Sequence, residues 1–167
     1  MRTRNNHLSG VVMFVLFRAA FCFLFAVGLS LSKGQAQEVT GMWKSYKEET
    51  GKPRALVRVF VENGILKGKV IKSLNPKGEN SAICTKCPKD GKFASRGDSM
   101  IGLTFIKGLR QNDDGRWVGD DALLDPDSGK IYDAKIWVPK DEPDKLKVRG
   151  FMGFFYRTQT WNRVSDK

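Results

Sequence analysis

Cys84 and Cys87 form a C-x-x-C pair in a chain of 167 residues that has three cysteines and one histidine. Two thiols at this spacing admit three chemistries. In an oxidising compartment the expected outcome is a short-range disulfide. A zinc site would need two more ligands, and Asp90 and Asp98 are the carboxylates near enough in sequence to supply them. Thiol–disulfide exchange uses the same spacing, yet no βαβ pattern or helix start is evident to lower a thiol pKa. The disulfide is the leading expectation, and no metal or cofactor is expected. A second acidic cluster, Asp125-Pro126-Asp127-Ser128-Gly129 with Asp133, has part of the spacing of a calcium loop. It lacks the late bidentate Glu and the flanking helices, so it reads as a turn between strands.

Which of these chemistries is available depends on where the chain ends up. Arg2 and Arg4, the apolar run Val11 to Leu31 interrupted by Arg18, and Gly34-Gln35-Ala36 follow the order of a secretory signal peptide. Arg18 leaves only Ala19 to Leu31 uncharged, too short to span a bilayer, so residues 1–36 read as a cleaved leader rather than an anchor. Cys22 follows Phe21, not the small residue a lipidated cysteine requires. Cleavage after Ala36 removes His7 and Cys22, and with them every histidine-dependent nucleophile pair, general base and metal ligand. Four cations leave with the leader (Arg2, Arg4, Arg18, Lys33) and no acids, so 25 Lys and Arg face 18 Asp and Glu and the remaining charge is +7. The lysines are scattered, which argues against a nucleic-acid footprint and for a solvated basic surface. Anionic headgroups and envelope polymers are the partners such a charge would favour.

Residues 37–167 are long enough for one domain. Its segments are short, rich in β-branched and aromatic residues, and separated by turn chemistry. The expected strands are 41–47, 55–62, 65–73, 100–111, 116–124, 131–138, 145–152 and 155–163. Asn63-Gly64 is a two-residue hairpin signal, and 112–115, 125–129 and 141–144 are turn clusters. Leu66, Gly68 and Val70 alternate with lysines, as do Leu146 and Val148, which gives each strand one apolar face. Eight antiparallel strands with no helix to cover them are most simply stabilised by closing into an up-and-down β-barrel. The fold class is therefore all-β, with one long irregular loop over 74–99 whose length suggests a lid.

Gly41-Met42-Trp43 opening the first strand, with Trp161 and Arg163 closing the last, resembles the calycin barrels, where an early Trp plugs one end under a late Arg. The first and last strands of such a barrel pair antiparallel, which selects Arg163 over Arg157, six residues or about 20 Å further along. A closer resemblance runs over nearly all of residues 37–167. Gly41-Met42-Trp43-Lys44, Thr50-Gly51-Lys52, Asn63-Gly64, Cys84-Thr85-Lys86-Cys87, Leu124-Asp125-Pro126, Val148-Arg149-Gly150-Phe151 and Arg157-Thr158-Gln159-Thr160-Trp161 together resemble the domain-of-unknown-function 2147 family (DUF2147). That resemblance implies a small exported bacterial barrel and brings no catalytic residues. Gly119-Asp120 departs from the paired glycines expected after Trp117, which implies a different bulge there.

With Trp161 and Arg163 turned inward over Trp43, Arg157 and Gln159 on the same strand also turn inward, toward the opposite end. Together with Tyr132 they are the candidate ligand-facing residues, suited to an anionic or amide group. The alternative for Arg157 is an ion pair with a neighbouring acid. The function expected is non-enzymatic binding of a small molecule or envelope component at the lidded end, in the periplasm or outside the cell. Thiol redox chemistry and a solid structural module are the alternatives. If the leader is cleaved as read, the intact mass of protein recovered from the exported fraction will correspond to residues 37–167, and a mass retaining residues 1–36 would refute it.

Overall fold

The structure is a computed structural model and describes residues 39–74, 83–89, 91–93 and 96–165. Residues 1–36, on which the leader reading falls, Asp90 and part of the 74–99 loop lie outside the described residues. Eight strands follow one another: β1 (Gly41–Tyr46), β2 (Pro53–Glu62), β3 (Ile65–Ser73), β4 (Thr104–Gln111), β5 (Trp117–Leu124), β6 (Ile131–Trp137), β7 (Lys145–Met152) and β8 (Phe155–Arg163). Each pairs antiparallel with the next, and β8 returns to β1, so the sheet closes into an eight-stranded barrel. Among the described residues no helix is long and apolar enough to cross a membrane.

Local sequence explains the corners. Asn63 and Gly64 both take positive φ, 52° and 73°, as the type I′ turn between β2 and β3 requires. At Gly153-Phe154 only the first residue is positive, at 59°, the II′ pattern with glycine in its usual place. The fourth strand begins at Thr104, not at Met100, because Gly102 turns to φ 90° and the chain loops there before entering the sheet. The β3–β4 connection is therefore longer than the 74–99 expected, and the remaining strand limits shift by no more than two residues.

Curvature comes from bulges. Gly68 lies opposite Ile106 and Lys69 opposite Thr104, so β4 places an extra residue there, and Phe105 and Ile106 are both buried. A Cβ on Gly68 would come within 2.8 Å of Ile106 Cδ1, so glycine lets the Ile106 side chain lie against the backbone. The break expected near Gly119-Asp120 is a bulge between Gly119 and Leu123. Asp121 takes φ 48° within it and its N–H donates to Asp133 Oδ1 at 2.8 Å.

The interior is occupied by side chains. Trp43, Leu66, Ile106, Leu109, Ile136 and Leu146 have no measurable exposure, and Val57, Val59, Trp117 and Trp161 are buried with them. Inward residues come from every strand, as period-2 alternation requires in a closed sheet. Ile136→Ala is expected to cost about 2–5 kcal/mol by leaving a cavity, whereas outward-facing Lys135→Ala should stay within about 0.5 kcal/mol; urea denaturation of the two variants checks the difference.

Candidate functional site

The two ends of the barrel differ. At the end where the chain enters, Trp43 pairs in register with Arg163. The guanidinium carbon of Arg163 lies 4.2 Å from the centroid of the Trp43 ring. Arg163 also donates to the Thr40 carbonyl at 3.1 Å and faces the Pro143 carbonyl and Asp144. The indole N–H of Trp43 donates to the Val39 carbonyl at 3.0 Å, so the ring is satisfied as well as covered. A Cβ on Gly41 would approach an Arg163 nitrogen to 3.1 Å, and the absence of a side chain there leaves room for the guanidinium. Trp161 lies deeper, 6.1 Å from Phe105 between ring centroids. Glu62 lies at this end too, and Lys67 beside it holds its carboxyl below the usual carboxylate range through a hydrogen bond and charge attraction.

The opposite end carries the β1–β2, β3–β4, β5–β6 and β7–β8 connections. The registers of β6, β7 and β8 place Ala134, Gly150 and Arg157 side by side on one rung of the wall. Gln159 faces Val148 one inward rung below, and Tyr132 lies one inward rung above. The fold thus brings Arg157, Gln159 and Tyr132 onto successive rungs of one wall. Their present partners differ. Gln159 accepts from the Trp161 indole N–H at 3.0 Å, and Arg157, with 76% of its side chain exposed, pairs with Glu48 at 3.0 Å. Tyr132 is half-buried and packs over Gly150. Ser45, Ala55 and Gly150 are the small residues on the upper inner wall. A second ion pair, Arg54 to Asp127 at 2.9 Å, ties the start of β2 to the β5–β6 turn.

The long loop is anchored rather than loose where it is described. Cys84 and Cys87 form a disulfide and both sulfurs' residues are buried. Ile83 bridges Ser99, and Cys84 exchanges backbone hydrogen bonds with Asp98 and Gly97. Lys86 packs its carbonyl against Gly129 so closely that a Cβ there would come within 1.9 Å of the oxygen. Lys92 reaches Asp121 at 3.1 Å, and Lys107 lies over the Phe93 ring. These contacts fix the loop to β4, β5 and the β5–β6 turn, beside the mouth. Asp125 spends its carboxylate inside that turn, accepting from the Asp127 N–H and the Ser128 hydroxyl. Among the described residues no group of three or more His, Cys, Asp or Glu stands close enough to hold a metal.

The sequence reading missed the tip of the β7–β8 hairpin. Phe154 is fully exposed, Phe155 81% and Tyr156 61%, with Met152 partly so. Phe-Met-Gly-Phe-Phe-Tyr around a tight turn was the available signal, because residues on both sides of a two-residue loop cannot all be buried.

A closed eight-stranded meander plugged at one end by a tryptophan under an arginine is a calycin-like barrel. The chain belongs to the family described as uncharacterized proteins conserved in bacteria (DUF2147), whose family model matches residues 41–163. Among solved structures, protein HP1028 from Helicobacter pylori, described as belonging to the lipocalin family, is similar. Its TM-score is 0.62 at 21% identity, covering 77% of this chain and 84% of that one, a likeness of fold. No curated protein matches the chain in sequence.

Gly129→Ala forces a Cβ against the Lys86 carbonyl at a positive-φ position. We expect a loss of about 2 kcal/mol, roughly 5 °C in Tm, together with faster reduction of the Cys84–Cys87 bridge; thermal unfolding and timed alkylation measure the two effects.

Proposed function

We propose that the protein is an exported, non-enzymatic binding barrel that holds a small amphipathic molecule or envelope component at its open end. The observation that carries this reading is the contrast between the two ends. The plugged end and the middle are filled by Trp43, Leu66, Ile106, Leu109, Ile136 and Leu146. Toward the mouth the wall presents Ser45, Ala55 and Gly150 beside Tyr132, Gln159 and Arg157. A ligand would sit at the rim, its apolar part against Tyr132 and its anionic or amide group on Arg157, which exchanges Glu48 for it. Eight-stranded barrels can take one small ligand or none, and the filled middle favours a shallow seat over a deep one. The burial of Cys84 and Cys87 argues against redox exchange, since an attacking thiolate must reach a sulfur.

The likeness to HP1028 is compatible with ligand binding, because lipocalin-type barrels provide the necessary architecture. The test uses a fluorescent amphipathic anion, anilinonaphthalenesulfonate. It should bind with enhanced emission, and Arg157→Ala or Tyr132→Ala should each weaken binding by about tenfold with Tm unchanged. Absence of binding, or binding by both variants as tight as by the wild type, would support a solid structural module instead. Native mass spectrometry of protein from its own host should also retain an adduct of discrete mass.

A further inference from the structure

The β7–β8 hairpin combines two properties that no other part of the barrel shares among the described residues. Its tip is apolar and convex: Phe154, Phe155 and Tyr156 are exposed around the Gly153 turn, with Met152 beside them. Its shaft is cationic: residues 145–163 contain Lys145, Lys147, Arg149, Arg157 and Arg163 and neither Asp nor Glu. The outward positions of β7 are Lys145, Lys147, Arg149 and Phe151, a row of cations rising to the aromatic tip. β1 beside β8 adds Lys44 and no acid, and β6 beside β7 adds Lys135. Three of the acids near this hairpin come from loops: Glu142 on Lys147, Glu48 on Arg157 and Asp144 near Arg163. Asp133 of β6 is engaged by the Asp121 N–H.

Stacking aligns the cations with the rings. Arg149 lies 5.2 Å from the Trp137 ring and 4.3 Å from the Tyr156 ring, and it donates to the Thr158 hydroxyl at 2.7 Å. Arg116 lies on Trp137 at 5.4 Å. The sequence Arg116, Trp137, Arg149, Tyr156 thus alternates cation and ring across the face and ends at Phe154 and Phe155. Aromatic side chains at the level of lipid headgroups, with basic residues meeting anionic lipid beside them, are the physical signature of a bilayer interface.

We propose that this hairpin docks the barrel on an anionic lipid surface, with Phe154 and Phe155 entering the headgroup region and Lys145, Lys147 and Arg149 facing the lipid charge. The convex tip suits a deformable surface, and the acid-free shaft supplies the charge complementarity that a neutral partner would not need. The proposal stands on the outer face and on Phe154 at the turn; Phe155 lies on the inward row of β8, opposite Met152 and next to the rung of Tyr132, so Phe154 alone separates the proposal from the rim site proposed above.

The test is co-sedimentation with vesicles of phosphatidylcholine alone or with about one-third phosphatidylglycerol. The protein is purified as its own host produces it. Wild type and F154A/F155A differ only at the tip, so any contribution from residues 1–36 is common to both. Wild type should bind the anionic vesicles and not the neutral ones, and binding should weaken as salt rises. F154A/F155A should bind roughly tenfold or more weakly with unchanged Tm, given the apolar area the two rings would bury. Arg149→Gln should weaken binding to the anionic vesicles. Equal binding by wild type and F154A/F155A would overturn the proposal, as would absence of vesicle binding. A wild type that self-associates through the tip and ignores vesicles would overturn it as well, and would identify a second copy as the occupant. Phe154→Ala alone, which leaves Phe155 beside Tyr132, should weaken vesicle binding and retain dye binding, and this keeps the outcome separate from any failure of the rim site.

Discussion

Closure of the sheet depends on its seam. β1 and β8 meet in register at only two residue pairs, Trp43 with Arg163 and Lys44 with Asn162. Other neighbouring strands share longer ladders, eight pairs between β7 and β8 for example. So short a ladder would leave two edges easily parted, and side chains reinforce it. Arg163 covers Trp43 and bonds carbonyls on both sides of the junction, Asn162 donates to the Tyr46 hydroxyl at 2.7 Å, and Val164 N–H continues the pairing to Met42. Cation–π contact in a partly desolvated setting is worth about 2 kcal/mol. With that seam held, every inward residue of the other six strands acquires neighbours on all sides.

The filled interior follows from the same geometry. Three tryptophans, Trp43, Trp117 and Trp161, share an eight-stranded barrel with the aliphatic residues around them, and a barrel of that size has room for side chains or for a ligand but not generously for both. Chemistry is therefore displaced to the periphery, at the rim and on the outer wall of β6 to β8. There, polar side chains such as Arg157 and Gln159 hold protein partners that an incoming group would have to replace.

Much of the fold was legible in the sequence. Period-2 alternation in residues 65–73 and 145–152 located strands to the residue, and Asn63-Gly64 specified its turn type. The plug was legible through the calycin resemblance, which sets an early Trp under a late Arg, and the antiparallel pairing of first and last strands selected Arg163. Loop behaviour was less legible. Lys86 packing on Gly129 and Arg54 reaching Asp127 are contacts between segments far apart in sequence, with no periodicity to announce them. The start of β4 moved because the positive φ of Gly102 breaks a run that composition alone would continue. Phe154 and Phe155 were read as ordinary strand and turn residues because apolar side chains default to the core. Only the tightness of the Gly153 turn excludes them from it.

The shortness of the β1–β8 seam has a further implication for β8. Its register pairs with β1 are Asn162 and Arg163, and nearer the mouth β8 is tied to the β1–β2 connection by the Arg157–Glu48 ion pair. In terms of sheet edges, a strand with so few register pairs depends on its side chains to keep other extended chains away. The charged Arg157, bonded to Glu48 of the β1–β2 connection, closes the stretch nearer the mouth with an ion pair, and a charge so placed disfavours strand addition.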